Sequence, residues 1–275
     1  MSDFESGRSI KRSGRARATA SRSRLGVRVD RVLSAAIAGE PHVALNVKVS
    51  ELLADDTVAS TIRSFLERSG PGIMAHWRVL QALQATGLDS DLLNSLVDPD
   101  PKVRIAAARL CGAFRLTDSV PWLADLMGDT NPKVRDAAVR ALGSLGGRRA
   151  VDALMAAVDR LPQHRLAIEL SHAASDMDME LLMREPASVQ AAVVTVLACG
   201  LRYDALRVGA LTGIAHDRRW PSRVRSAACC ALAMIGEPST ADGLRRLTGD
   251  PEAGVRFAAA KARRRFHPAP TAGSA

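Results

Sequence analysis

The sequence has few aromatic residues: Phe, Trp and Tyr make up 3% of its 275 residues, whereas hydrophobic residues together make up 47%. Burial must therefore come mainly from Ala, Leu and Val, which are small enough to let helices approach one another closely. The four cysteines show no Cys-x-x-Cys spacing and lie in Ala-rich stretches, which is typical of buried thiols in a reducing compartment. No apolar run reaches the roughly 18 residues that a membrane span needs. We therefore expect a cytoplasmic protein without a transmembrane segment.

Motifs that carry chemistry are also scarce. The six histidines are scattered without His-x-x-x-His or His-Glu pairing. The alternating acids Asp176, Asp178 and Glu180 lack the glycine turn and the distant glutamate of a calcium loop. Cys229 and Cys230 are adjacent, so on a helix they diverge by about 100° and are expected to pack rather than to react. We expect no catalytic residue, no metal site and no cofactor, and hence a protein that is not an enzyme.

The sequence does contain an internal repeat. The segment "DPDPKVRIAAARL" at residues 98–110 recurs 31 residues later as "DTNPKVRDAAVRA". A second apolar segment follows each copy, so the repeat predicts units of two helices. Between Arg165 and Gln190 the spacing falls to 25 residues, which indicates one shortened unit.

The second helix of each unit has a readable start. An Asx residue precedes a proline, so the Asx side chain is expected to cap the helix while the proline takes the first helical position. The three pairs are Asp100–Pro101, Asn131–Pro132 and Asp250–Pro251. Gly143, Gly146 and Gly147 are expected to end one of these helices.

Four segments resemble the HEAT-like repeats of the phycobilisome-lyase type: "DPDPKVRIAAARLCGAF", "NPKVRDAAVRALGSLGGRRAVDALMAAV", "SRVRSAACCALAMIGEPSTADGL" and "DPEAGVRFAAAKARRRF". The resemblance implies an all-α fold, a right-handed α-solenoid of HEAT-like helical hairpins. Members of that repeat class mostly serve as interaction scaffolds, and minorities act on bilins, hydroxylate a lysine-derived residue or excise alkylated bases. The hydroxylating relatives bind two irons through His-Glu dipeptides, and this sequence contains none.

The chain divides into four regions on this reading. Residues 1–24 are expected to be a disordered basic tail and residues 25–69 an N-terminal helical cap. Residues 70–266 form the repeat array, and residues 267–275 a disordered C-terminal tail. The net charge of +9 is concentrated at the start, since residues 1–31 carry nine basic and three acidic side chains.

The arginines that follow a valine in each unit are predicted to be structural. An aspartate that ends the first helix of a unit lies near each of them, and Arg–carboxylate pairs suit half-buried sites between helices. The predicted ladder comprises Asp98, Arg104, Asp129, Arg135, Arg225 and Arg256. We expect Arg135→Ala to cost about 1–3 kcal/mol by leaving its carboxylate partner unsatisfied.

A second set of basic residues is the predicted partner-binding surface. Lys102 and Arg109 are seven residues apart on one helix, and Lys133 and Arg140 repeat them in the next unit, on the second helices that in HEAT-like arrays line the concave wall. The set comprises Arg78, Lys102, Arg109, Lys133, Arg140, Arg223 and Lys261. The expected function is a protein–protein interaction scaffold with an acidic partner. The alternatives are nucleic-acid binding of the base-excision type, with Trp77, Trp122 and Trp220 stacking on bases, and a bilin lyase-type enzyme.

Overall fold

The computed structural model describes residues 23–39, 47–69 and 73–266. Within these ranges the chain forms sixteen α-helices, three short 3₁₀ turns and no strand, so the predicted all-α solenoid is confirmed. The predicted C-terminal tail, most of the predicted basic tail, and residues 40–46 and 70–72 lie outside the described residues.

The first six helices are α1 (Arg24–Ala38), α2 (Val49–Ala54), α3 (Val58–Arg68), α4 (Ile73–Thr86), α5 (Leu88–Ser95) and α6 (Pro101–Phe114). The next five are α7 (Val120–Leu126), α8 (Pro132–Leu145), α9 (Gly147–Met155), α10 (Gln163–Ala173) and α11 (Asp176–Arg184). The last five are α12 (Val189–Leu201), α13 (Val208–His216), α14 (Ser222–Ile235), α15 (Ala241–Leu247) and α16 (Ala253–Arg263).

From α6 onwards the helices form two layers. The long helices α6, α8, α10, α12, α14 and α16 pack against one another in series, and each short helix from α7 onwards packs on the long helix that follows it. Among these short helices, only α7 and α9 contact each other substantially. Because the long helices are close together while the short ones spread apart, we infer that the stack curves with the long helices on its inner, concave side.

Small residues set the spacing of the long helices. A β-carbon added at Gly112 in α6 would lie 2.9 Å from the Cα of Ala141 in α8. One added at Gly200 in α12 would lie 2.7 Å from the Cα of Ala231 in α14. Both distances are shorter than van der Waals contact, so only glycine allows the helix backbones to approach this closely. Glycine and alanine at these interfaces therefore allow the long helices to pack closely.

The helix starts follow the sequence at two of three positions. The side chains of Asp100 and Asn131 accept from the second residue of α6 and α8, at 2.8 and 2.9 Å, and Pro101 and Pro132 are the first helical residues. The expectation for Pro251 is wrong, because α16 begins two residues later, at Ala253. The carboxylate of the preceding Asp250 instead bonds Arg225 from the previous unit.

The predicted helix stop is also only partly right. The helix α8 ends at Leu145, and Gly146, with φ of 66°, caps it. Gly147 already begins α9, and Gly143 lies inside α8.

Ahead of α6, the helix that precedes it in the long layer is α3. The two pack directly against each other, whereas α4 packs mainly on α1 and α5. The histidine His76 of α4 contacts the end of α6, because its Nε2 lies 3.0 Å from the carbonyl oxygen of Phe114. Although Arg78 fits the 31-residue period, its helix α4 therefore does not belong to the long layer.

Two arginines of the predicted ladder link successive units through carboxylates. Arg104 in α6 donates to both carboxylate oxygens of Asp129, from Nε at 2.9 Å and from Nη2 at 3.1 Å. Arg225 in α14 also binds both carboxylate oxygens of Asp250, but from Nη1 and Nη2, and it donates from Nε to the carbonyl oxygen of Ala215. In each pair the aspartate lies 25 residues after the arginine. The hydrogen bond from Arg225 holds the pKa of the Asp250 carboxyl below its ordinary value, against the opposing effect of burial.

The other two arginines bind main-chain oxygens instead. Arg135 Nη1 donates to the carbonyl oxygens of Asp129 and Thr130, at 2.8 and 3.1 Å, and Arg256 does the same at Asp250 and Pro251. In the described chain neither forms an ion pair, so the carboxylate expected for Arg135 is wrong. Residue 160, one period after Asp129, is an arginine, and Arg256 lies in α16, the last helix of the described residues. Asp98 contributes its carbonyl oxygen, which accepts from Arg104 Nη1 at 2.7 Å.

Arg104→Ala and Arg135→Ala form a matched pair that isolates the carboxylate link. Both substitutions remove bonds to two carbonyl oxygens, but only Arg104→Ala leaves a largely buried carboxylate, that of Asp129, without its guanidinium. We expect Arg104→Ala to lower the free energy of unfolding by about 1–3 kcal/mol more than Arg135→Ala does, measured by chemical denaturation. Equal losses in the two variants would show that the link between units contributes nothing.

Candidate partner-binding surface

The inner face is built from equivalent positions of the long helices. In α8 these positions are Lys133, Asp136, Arg140 and Ser144, whose spacing of three and four residues places them on one side of the helix. The residues between them that face the neighbouring helices, such as Ala138 and Leu142, are buried.

A groove of about 280 Å³ runs between α6 and α8 on this face. We call it the basic groove; it is lined by Ile105, Arg109, Pro132, Lys133, Asp136 and Arg140. Three of the predicted partner-binding residues therefore come together here, and Lys102 is exposed near the start of α6.

The arginines of the basic groove are held by exposed ion pairs. Arg109 lies 2.9 Å from Asp56, with side chains 50% and 86% exposed. Arg140 lies 2.9 Å from Asp136, one turn away, with side chains 62% and 42% exposed. Exposed pairs of this kind contribute at most about 1 kcal/mol. Exchanging these internal carboxylates for those of another molecule would therefore cost little.

A chain of charges continues from the groove onto α10. Arg165 Nε lies 2.8 Å from Asp136, and its Nη2 lies 3.0 Å from the buried carboxylate of Glu169. Burial raises the pKa of Glu169, and the charges of Arg165 and His172 oppose that shift. A β-carbon at Gly143 would lie 2.1 Å from Glu169 Oε2, so this glycine makes room for the carboxylate. This cluster was not among the residues predicted from the sequence; its one sequence signal is Gly143, a glycine inside α8 that the pattern places at a helix stop.

The cap helix α3 also contributes to the inner face. A cavity of about 320 Å³ beyond the basic groove is lined by Arg63 and Glu67 of α3 together with Arg115, Ser144 and His172 of the array. The ends of α6, α8 and α10 therefore meet α3 around one concavity.

Arg78 does not belong to this surface. It lies on α4, and its guanidinium donates to the carbonyl oxygen of Ile37 in the last turn of α1. The residue joins α1 to α4, and its spacing from Arg109 does not reflect a shared face.

Arg223 and Lys261 are separated from the basic groove by α12. The positions of α12 equivalent to Lys102 and Arg109 are occupied by Gln190 and Leu197. A second, more open groove of about 590 Å³ lies here, lined by Leu161, Pro162, His164, Gln190, Leu197 and Arg223. The predicted basic ridge is therefore interrupted.

The three tryptophans do not converge on the inner face. Trp77 and Trp122 are exposed but lie on α4 and on the short helix α7. Trp220 packs against the hydrophobic core, in the turn before α14.

Reactive groups do not gather at any described site. In residues 23–39, 47–69 and 73–266, no three His, Cys, Asp or Glu side chains lie close enough to hold a metal ion. Within the same ranges, no helix has the length and apolar character needed to cross a bilayer.

The HEAT-repeat sequence pattern matches residues 89–171 and 179–264. The chain belongs to the HEAT-repeat proteins. The match begins in α5 and extends into α16, so α1–α4 lie outside it. No curated protein matches the chain.

Three solved structures are similar to this HEAT-repeat chain. Human deoxyhypusine hydroxylase in complex with glycerol is 17% identical, with a TM-score of 0.34, and the match covers 89% of this chain and 99% of that one. The complex of CpcE and CpcF of phycocyanin lyase from Nostoc sp. is 16% identical, with a TM-score of 0.33 and coverage of 74% and 86%. An engineered protein is 19% identical, with a TM-score of 0.31 and coverage of 86% and 96%. Similarity at this level carries no argument about activity.

The four thiols of the array should differ in reactivity. Burial raises the pKa of Cys111, Cys199 and Cys229 to about 12, so at pH 8 these groups are almost entirely protonated and enclosed. Cys230 is only partly buried. We expect iodoacetamide to alkylate Cys230 first in the native protein, and the other three only as fast as the chain unfolds, as followed by peptide mass spectrometry. Equal rates at all four cysteines would contradict the packing described here.

Proposed function

We propose that this chain is a non-enzymatic cytoplasmic scaffold that binds an acidic segment of a partner protein on its inner face. The observation that carries the proposal is the basic groove, where Arg109, Lys133 and Arg140 border one concavity between α6 and α8. The partner would add carboxylates to a surface whose cations are held only by exposed ion pairs.

The architecture supports binding of an extended ligand. Stacked repeats produce a continuous concave surface, because each unit contributes the same helix face to it. Lys102 and Lys133 form no ion pair with any described residue, so both remain available to a partner. Carboxylates are the natural counterpart, since Arg binds them in a bidentate manner.

Nucleic-acid binding is the second candidate. Phosphates could occupy the same groove, because Lys and Arg bind them as readily as carboxylates. The proposal favours protein because the tryptophans that could stack on bases do not converge on this face.

The test uses charge reversal with a matched control. Arg109→Glu/Arg140→Glu changes the inner face, and Arg149→Glu/Arg245→Glu makes the same charge change on exposed residues of the short helices α9 and α15. We expect proteins captured by the wild-type chain from a lysate of its own cell to be lost with the first variant and kept with the second. The unfolding free energies of both variants should be measured, so that folding defects are excluded.

The outcomes separate the candidates. Partners that both variants retain would place binding away from the inner face and contradict the proposal. Affinity for duplex or single-stranded DNA that falls steeply between two salt concentrations, and that only the Arg109→Glu/Arg140→Glu variant lacks, would instead support nucleic-acid binding.

A further inference from the structure

The inner face changes character along the stack. Its first half, at α6 and α8, is charged, whereas its second half, from α12 to α16, also presents apolar side chains, beside the basic residues Arg223 and Lys261. We call this second half the apolar section; it comprises Leu197 and Leu201 of α12, Met234 of α14 and Phe257 of α16. Phe257 is 73% exposed, an unusual state for a large aromatic side chain in a protein with few of them.

The equivalence of α6 and α12 rests on their backbone ends. After α6, Arg115 has a left-handed backbone conformation with φ of 53°, and after α12, Tyr203 has the same conformation with φ of 54°. The next N–H in each case bonds the same carbonyl within its helix, Leu116 to Cys111 and Asp204 to Cys199. In this register Leu197 occupies the position of Arg109.

The equivalence extends to α14 and α16. In both α8 and α14 a buried valine directly precedes the ladder arginine, and a glycine of positive φ follows the last helical residue. Aligning these two features places Met234 at the position of Ser144. Met234 lies against α12, since a β-carbon at Gly200 would be 3.2 Å from its sulfur. In α16, Arg256 repeats the carbonyl contacts of Arg135, which places Phe257 at the position of Asp136.

We propose that the partner is an extended protein segment with two anchors, an acidic cluster in the basic groove and large apolar side chains on the apolar section. This inference rests on the proposed function and deepens it. Charge and hydrophobicity together fix the direction of the segment, with its acids at α6 and α8 and its apolar residues towards α16.

The spacing of the anchors follows from helix packing. The centre of the basic groove lies between α6 and α8, and the middle of the apolar section is at α14, three to four interhelical steps away. At about 8–10 Å a step, this is roughly 28–35 Å. An extended chain spans about 3.3 Å per residue, so the anchors should be roughly eight to eleven residues apart.

Two other occupants fit less well. A nucleic acid would place phosphates across the whole face, but on the apolar section it would meet Leu, Met and Phe side chains beside Arg223 and Lys261. The segment 1–22 of this chain carries six basic and two acidic residues, so the basic groove would repel it.

The experiment selects a phage-displayed library of random 16-residue peptides on the full chain. The enriched peptides should carry an acidic cluster and, about eight to eleven residues away, one or more large apolar residues. A synthetic copy of one such peptide should bind Arg109→Glu/Arg140→Glu at least about tenfold more weakly by fluorescence anisotropy. Its affinity should fall about three- to tenfold for Leu201→Ala/Phe257→Ala.

Two controls make these losses specific. Leu206→Ala removes an apolar side chain that is 86% exposed but lies on the turn between α12 and α13, so it should leave affinity unchanged. A peptide without its apolar anchor should become insensitive to Leu201→Ala/Phe257→Ala, while its sensitivity to the charge reversal remains.

The failures are distinguishable. Peptides that respond to the charge reversal but not to Leu201→Ala/Phe257→Ala would overturn the second anchor and leave the proposed scaffold intact. Peptides that bind every variant equally, or a selection that enriches none, would overturn both proposals.

Discussion

Close approach of the long helices is the constraint on which the rest of the structure depends. At Gly112 and Gly200 the facing backbones come so near that any side chain would force the helices apart. Alanine lines the same interfaces, so the long layer is compact while the short helices spread outwards. A difference in spacing between two layers bends the stack, and the bend creates the concave face. Composition is thus linked to function through helix packing, because a chain rich in larger aromatics could not form this inner layer.

Electrostatics then decides which parts of that face are available to a partner. The inner arginines of the ladder are used internally, either on a carboxylate in the next unit or on carbonyl oxygens in their own. Asp136 and Glu169 similarly engage Arg165 and hold it half-buried on α10. Arg109 and Arg140 remain exposed at the edge of this network, held by weak pairs. The basic groove therefore owes its binding capacity to these few exposed, weakly paired arginines. The net positive charge of the whole chain does not explain it.

The sequence predicted what local rules determine. The Asx–Pro starts of α6 and α8, the two-helix unit and the shortened middle unit all follow from capping chemistry and apolar periodicity, which act within a few residues. Partners across units were harder to predict. The carboxylate of Asp129 lies with Arg104 and not with Arg135, because the link runs forward by one unit, and an Arg–Asp spacing of 25 residues is the signal that would have shown it. Arg78 shares the period but lies on a helix that packs in the cap. The interruption at Leu197 appears only when the shortened unit is placed in register with its neighbours.

The curvature of the stack is the central claim, and distances between spin labels test it most directly. One pair of labels at Lys133 and Arg223 joins equivalent exposed positions of α8 and α14 on the inner layer. A second pair at Asp152 and Asp242 joins equivalent exposed positions of α9 and α15, the same number of units apart on the outer layer. Measured by pulsed electron paramagnetic resonance in a Cys230→Ala background, the outer distance should be clearly longer than the inner one. Equal distances, or a longer inner distance, would mean that the long helices do not line a concave face.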